Sequence, residues 1–292
     1  MQLYTPDTLV AQRYRITRLL GSGGMSAVYA ATDITNETPV AIKQNGLPRQ
    51  RAAWLKAARQ RAGLSHSNLP RVEAVLDTDG AAFLVMEYLD GQDFEELLHA
   101  GYTLPMADVL AWADQLLDTL AYLHGQRPAV LHGAIRPRNL KLSGRGRPLL
   151  LDYALLPAQL VANDTRRNDP YLAPEASTGS RVDVRSDLYA LAATLYHLLA
   201  GIPPVDAATR RALVGQGAPD PLQPLHQASA EVPAAVGDVL HAALALDPRV
   251  RPQAAAYFQA LLRHAQDGHA PSPPVETRPR RWLWQRWRSG SL

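Results

Sequence analysis

The 292-residue sequence predicts an α+β fold in two lobes, a small β-rich one followed by a larger α-helical one. Three observations carry this. From Tyr14 to Tyr88 the apolar residues fall in short β-type runs, YRITRLL, AVYAATD, TPVAIK and AAFLVMEYL, rich in branched and aromatic side chains. From Phe94 onward the spacing turns helical, through FEELLHA, MADVLAWADQLLDTLAYLHG, LYALAATLYHLLAGI, VGDVLHAALAL and QAAAYFQALLRHAQ. A content of 47% hydrophobic residues is enough for a substantial core in both parts.

One helix, RAAWLKAARQRAGL, interrupts the strands, and MEYLDG joins the two parts. The run LYALAATLYHLLAGI is shorter than the roughly 18 residues a spanning helix needs, so it reads as a buried core helix. The expected organisation is residues 1–88 as the small lobe, 89–267 as the large lobe, and 268–292 as a Pro-rich linker with a basic tail.

With no cysteine, disulfides, thiolate-bound zinc and thiol nucleophiles are all excluded, which fits a cytoplasmic setting. The N-terminal MQLYTPDTLVAQRYRI has no charged start followed by an apolar run, so no secretory signal is expected there. The formal charge of +3 comes from interspersed acids and arginines, and no nucleic-acid surface is expected in the main domain.

In LLGSGGMSAVYAATD, Gly21, Gly23 and Gly24 fall in a turn between two strands. Glycines there let backbone N–H groups approach a phosphate without a Cβ in the way, although a hairpin turn alone also accounts for them. VAIK follows, and its Lys43 is one of only three lysines among the 30 basic residues.

These motifs occur in order with LVMEYLDG, LHGAIRPRNL, LLLDYALL, YLAPE, SDLYALAATLYHLLAG and DPRVRP. From Tyr14 to Ala265 the set resembles the bacterial Ser/Thr protein-kinase family. The resemblance implies a bilobal protein-kinase-like fold with an ATP and magnesium site in the cleft. It implies nucleotide contacts from Gly21, Ser22, Gly23, Gly24, Val28, Ala41 and Lys43, Met86 as gatekeeper, Glu87 to Leu89 as the adenine hinge, and Lys141 under the base. Asn139 and Asp152 would be the magnesium ligands; taken singly, each also reads as a turn residue. Glu175 would pair with Arg251, and Asp187 would cap the catalytic-loop backbone. His132 would be a buried structural histidine.

The sequence also departs from the pattern. Ala134 stands where the family has the catalytic-loop Asp, and Gly133 where it has Arg. Arg136 replaces a Lys that touches the transferring phosphate, and Asn168 replaces a Thr of the activation segment. The helix Glu that pairs with the VAIK lysine falls on Ala57, and no acid occurs between Glu37 and Glu73. That leaves Asp152 as the expected carboxylate for Lys43. Lys141 occupies a position the family fills with an apolar residue; its stem can pack while the ammonium reaches water, or its charge can spoil the adenine site.

These departures imply a pseudokinase without catalytic residues, a signalling adaptor or regulator whose partner is a signalling protein such as an active kinase. The rival is a slow or unusual ATP-dependent phosphotransferase or ATPase. RPRRWLWQRWR, with five arginines from Arg278 to Arg288 and with Trp282, Trp284 and Trp287, leaves three readings open. It suits an anionic membrane surface at the inner face through residues 278–292, it suits single-stranded nucleic acid or a protein, and it suits a terminus with no role. A membrane-attached scaffold is the third functional class.

Overall fold

Successive side chains along a strand point to opposite faces, and the small lobe uses both. The strands are β1 (Leu9–Val10), β2 (Tyr14–Gly23), β3 (Ser26–Asp33), β4 (Thr38–Asn45), β5 (Val72–Thr78) and β6 (Ala81–Glu87), in the antiparallel order β1-β2-β3-β4-β6-β5. The computed structural model describes residues 2–23, 26–78, 80–151, 168–178 and 180–268. Tyr14, Ile16, Tyr29, Ile42, Phe83 and Val85 share one face and form a core in which all are at most 2% exposed. Register shifts between Ile16 and Arg18 and between Leu19 and Gly21 bend β2, so the sheet curls over the cleft.

The opposite face receives the helix α1 (Arg51–Ala62). Trp54, Leu55 and Ala58 of α1 pack on Ala82 and Leu84 of β6, with Ala57 and Met86 at the margin. Fully burying a large apolar side chain contributes about 1.5–3 kcal/mol. Apolar packing therefore seats this helix, which carries no acid in its first turn.

The large lobe begins with α2 (Phe94–His99), started by Asp93 and Glu96 in a reciprocal capping box. In α3 (Met106–His124) the buried residues Val109, Ala113, Leu116, Leu117, Leu120 and Leu123 recur at helical spacing. Further along the chain come α4 (Pro174–Ser177), α5 (Val184–Ala200), α6 (Ala207–Gly215), α7 (Leu225–Ala228), α8 (Ala234–Ala243) and α9 (Ala255–Asp267). Residues 187–196 of α5 are all buried, as a core helix requires, and Gly201 ends it at φ 73, a left-handed cap suited to glycine. Among the described residues no helix is long and apolar enough to cross a membrane.

Between α3 and α4 the two short strands β7 (Leu140–Leu142) and β8 (Pro148–Leu150) form a hairpin. It carries Asn139 at its start and Lys141 on its first strand, the expected floor of the cleft, and is fixed by Leu150 N–H donating to Asn68 O at 2.8 Å and Leu151 N–H to Asn139 O at 2.8 Å.

Candidate active site

The roof of the cleft follows from strand register. Val28 lies opposite Lys43 and Lys43 opposite Leu84, while in the next row Ala41 pairs with Met86. Side chains two apart share a face, so Val28, Ala41, Lys43 and Met86 line one surface. Lys43 is 7% exposed, which places a cation at the centre of an otherwise apolar roof. At the mouth, a Cβ built on Gly21 or Gly23 would meet nothing within 4 Å, so space for a ligand is open beside that backbone. Ser22 is exposed between them. Gly24 and Asp152, the latter also the expected partner of Lys43, lie outside the described residues.

At the back edge, Glu87 is exposed and Leu89 half-buried on the segment joining the lobes. Glu87 N–H donates to Arg71 O at 2.9 Å, which anchors that strand end. Lys141 is half-buried on β7. Burial lowers its ammonium below the usual lysine range, and Glu96, Asp90 and Asp93 oppose that shift.

The floor is the stretch 131–139, held from beneath. Asp187 of α5 accepts hydrogen bonds from His132 N–H and Gly133 N–H, each at 2.8 Å, and from His124 Nε2 at 2.9 Å. Burial pushes the Asp187 carboxyl up, but the His124 contact and the backbone donors outweigh it, so it sits below its ordinary value. Gly133 has φ 71, a left-handed conformation that glycine adopts without a Cβ clash. That is a local reason for glycine at this position. His132 is fully buried, and its Nδ1 accepts from Ala134 N–H at 3.3 Å.

Asn139 is 8% exposed, and its Nδ2 donates to Ala134 O at 2.6 Å. That leaves the amide oxygen as the group available to a hard cation, so the residue fits the role of oxygen ligand. Glu175 accepts from Arg251 at 2.8 and 2.9 Å and from Ser186 Oγ at 2.6 Å, which ties α4 to the base of the lobe. Burial pushes the Glu175 carboxyl up and these bonds more than reverse it.

Three contacts escaped the sequence. Arg136 forms an ion pair with Asp169, the residue after Asn168; both side chains are largely buried, and the Arg136 guanidinium lies 5.6 Å from the centre of the Tyr171 ring. Tyr171 OH is 2.6 Å from His197 Nδ1, and burial pushes the Tyr171 phenol up to about 12. Arg61 of α1 donates to Leu131 O at 3.3 Å, linking that helix to the start of the catalytic loop. The one sequence signal for the first contact was Asp169-Pro170, a turn-initiating dipeptide.

Residues 14–264 match the protein kinase domain. The chain belongs to the protein kinase family. Relatives include the serine/threonine-protein kinase PknB of Mycolicibacterium smegmatis, 30% identical over 289 residues, which span 92% of this chain and 45% of that protein. A probable serine/threonine-protein kinase of Streptomyces coelicolor is 30% identical over 275 residues, covering 88% of this chain and 40% of its own length. The chain thus spans less than half the length of these relatives. Among solved structures, the Mycobacterium tuberculosis PknI kinase domain superposes with a TM-score of 0.71 at 27% identity, over 91% of this chain and all of that one.

This finding corrects the expectation of a non-catalytic adaptor or regulator drawn from Ala134 and Ala57. The kinase relatives are named as enzymes, so the family supports the phosphotransferase reading. The physical error lay in giving the acids missing at Ala134 and Ala57 more weight than their magnitudes carry. A proton-accepting side chain contributes about 10²–10⁴ in rate, whereas enzymes accelerate reactions by about 10⁶–10¹⁷. In phosphoryl transfer most of that comes from positioning and from neutralising charge on the phosphates.

Proposed function

We propose that this domain is an ATP-dependent phosphotransferase acting on Ser/Thr hydroxyls of proteins, with magnesium as the accompanying ion. The observation that carries the reading is Lys43, a buried cation centred on an apolar sheet face and in register with Gly21 across Val28, with open backbone beside Gly21 and Gly23. That arrangement suits a flat base against Val28, Ala41 and Met86 and a polyphosphate reaching Lys43. Magnesium, when bound, would neutralise phosphate charge, with the Asn139 oxygen as a ligand from this chain. The naming of the relatives as Ser/Thr kinases supports the substrate class. On this reading the protein partner is first of all the substrate.

The test is transfer of labelled γ-phosphate from ATP, with magnesium, to a mixture of Ser/Thr peptides. Wild type should show turnover, and Lys43→Met should lose it by about 10²-fold or more while keeping its fold. Equal incorporation by the two proteins would refute the reading.

A further inference from the structure

The catalytic loop lacks an acid at Ala134, yet a buried carboxylate touches it from the activation-segment side. We propose that Asp169 accepts the proton of the attacking hydroxyl. This rests on the phosphotransferase reading above and adds the residue that reading leaves unassigned.

Ala134, Arg136 and Asn139 are drawn into one turn, because Asn139 N–H donates to Arg136 O at 2.9 Å and its side chain to Ala134 O at 2.6 Å. The guanidinium of Arg136 pairs with Asp169 and so brings that carboxylate to the turn. Asp169 is held from its own side as well: Oδ1 accepts from Tyr171 N–H at 3.1 Å, and Leu172 N–H donates to the Asp169 carbonyl at 3.0 Å. Its residue exposure is 9%. Each carboxylate oxygen offers two lone pairs, so one protein contact per oxygen leaves acceptor capacity for a hydroxyl.

Among the described residues, the other acid in contact with the loop is Asp187. Its Oδ2 accepts from His132 N–H and His124 and its Oδ1 from Gly133 N–H, and at 2% exposure it is closed off from the cleft. It cannot serve a substrate from beneath the loop.

In the step itself the substrate oxygen forms a bond to the γ-phosphorus of ATP. The bond from that phosphorus to the bridging oxygen breaks, its electron pair leaving on ADP. The hydroxyl proton passes to Asp169, and solvent later removes it.

The experiment uses the full chain, ATP, magnesium and the Ser/Thr peptide mixture, with Asp169→Asn and the double variant Asp169→Asn with Ala134→Asp. Asp169→Asn keeps side-chain size and an acceptor for Tyr171 N–H. It should lower kcat by about 10²–10⁴ with the KM for ATP unchanged. The double variant should recover to within about tenfold of wild type, because a carboxylate has returned on the loop side. Unchanged kcat in Asp169→Asn or no recovery in the double variant would each reduce Asp169 to a clamp and overturn the proposal. Absence of transfer by wild type would overturn the phosphotransferase reading together with it.

Discussion

The two sides of the catalytic loop are built by different rules. Beneath it, Asp187 is fully committed to two backbone N–H groups and His124, and Glu175 is locked to Arg251 and Ser186. On the cleft side, Ala134 and Ala57 stand at the positions where the family pattern has carboxylates, while Arg136 and Asp169 form a pair the pattern does not contain. The difference separates architecture from chemistry. A buried clamp must be kept whole because each group removed leaves others unsatisfied, whereas a group that meets solvent and substrate can be supplied from another position.

The sharpest way to break this contrast is to cut beneath the loop. Asp187→Ala leaves the buried His132 N–H, the Gly133 N–H and His124 without an acceptor, and each buried group left unsatisfied costs about 1–3 kcal/mol. The combined loss rivals a domain's total stability. The variant should melt far below wild type or fail to show a cooperative urea transition; a midpoint within experimental scatter of wild type would show the clamp to be dispensable.

A smaller effect, with a distinctive sign, is expected at Arg251→Met. Removing one partner of a buried pair costs about 3–5 kcal/mol at neutral pH, because Glu175 stays charged and uncompensated. In wild type the folded Glu175 value is depressed. Its stabilisation is therefore present above the unfolded carboxyl value of about 4.3 and lost as pH falls through the lower folded value. In the variant the Arg251 bonds are gone while burial and the Ser186 hydrogen bond remain, so the carboxyl rises from its wild-type value and acidification should relieve the strain. Urea titrations at pH 7 and pH 4 should show the gap between the two proteins narrowing at the lower pH; a constant gap would mean the pair contributes nothing electrostatic.

What could be read in advance follows the same division. Strands, the core helix α5 and the Glu175–Arg251 clamp were legible because alternation, helical spacing and ordered motifs are local or keep a fixed order along the chain. Asp169 with Arg136, and Arg61 with Leu131, join residues 33 and 70 positions apart and follow no motif. The absence of an acid at Ala134 and at Ala57 was legible; its consequence was not. Function depends on what occupies a place in space, and the apolar seat of α1 and the pair at Asp169 appear only once the chain has folded.

The finest test lies at the far end of the cleft, at Lys141, where the sequence left two outcomes open. The side chain is half-buried on β7, directly opposite Leu149 and bridged by its backbone to Asp93. Burial pulls its ammonium below the usual range while Glu96, Asp90 and Asp93 support the charged form, so its charge is tolerated and partly desolvated. A base stacking on this floor would desolvate it further. Lys141→Leu removes that cost and offers apolar surface in its place, for a gain of about 1 kcal/mol, or roughly fivefold tighter nucleotide. Calorimetric titration with magnesium ATP reads this directly. Weaker binding in the variant would reverse the assignment and make Lys141 an attractive contact to the nucleotide, the cleft's second working lysine beside Lys43.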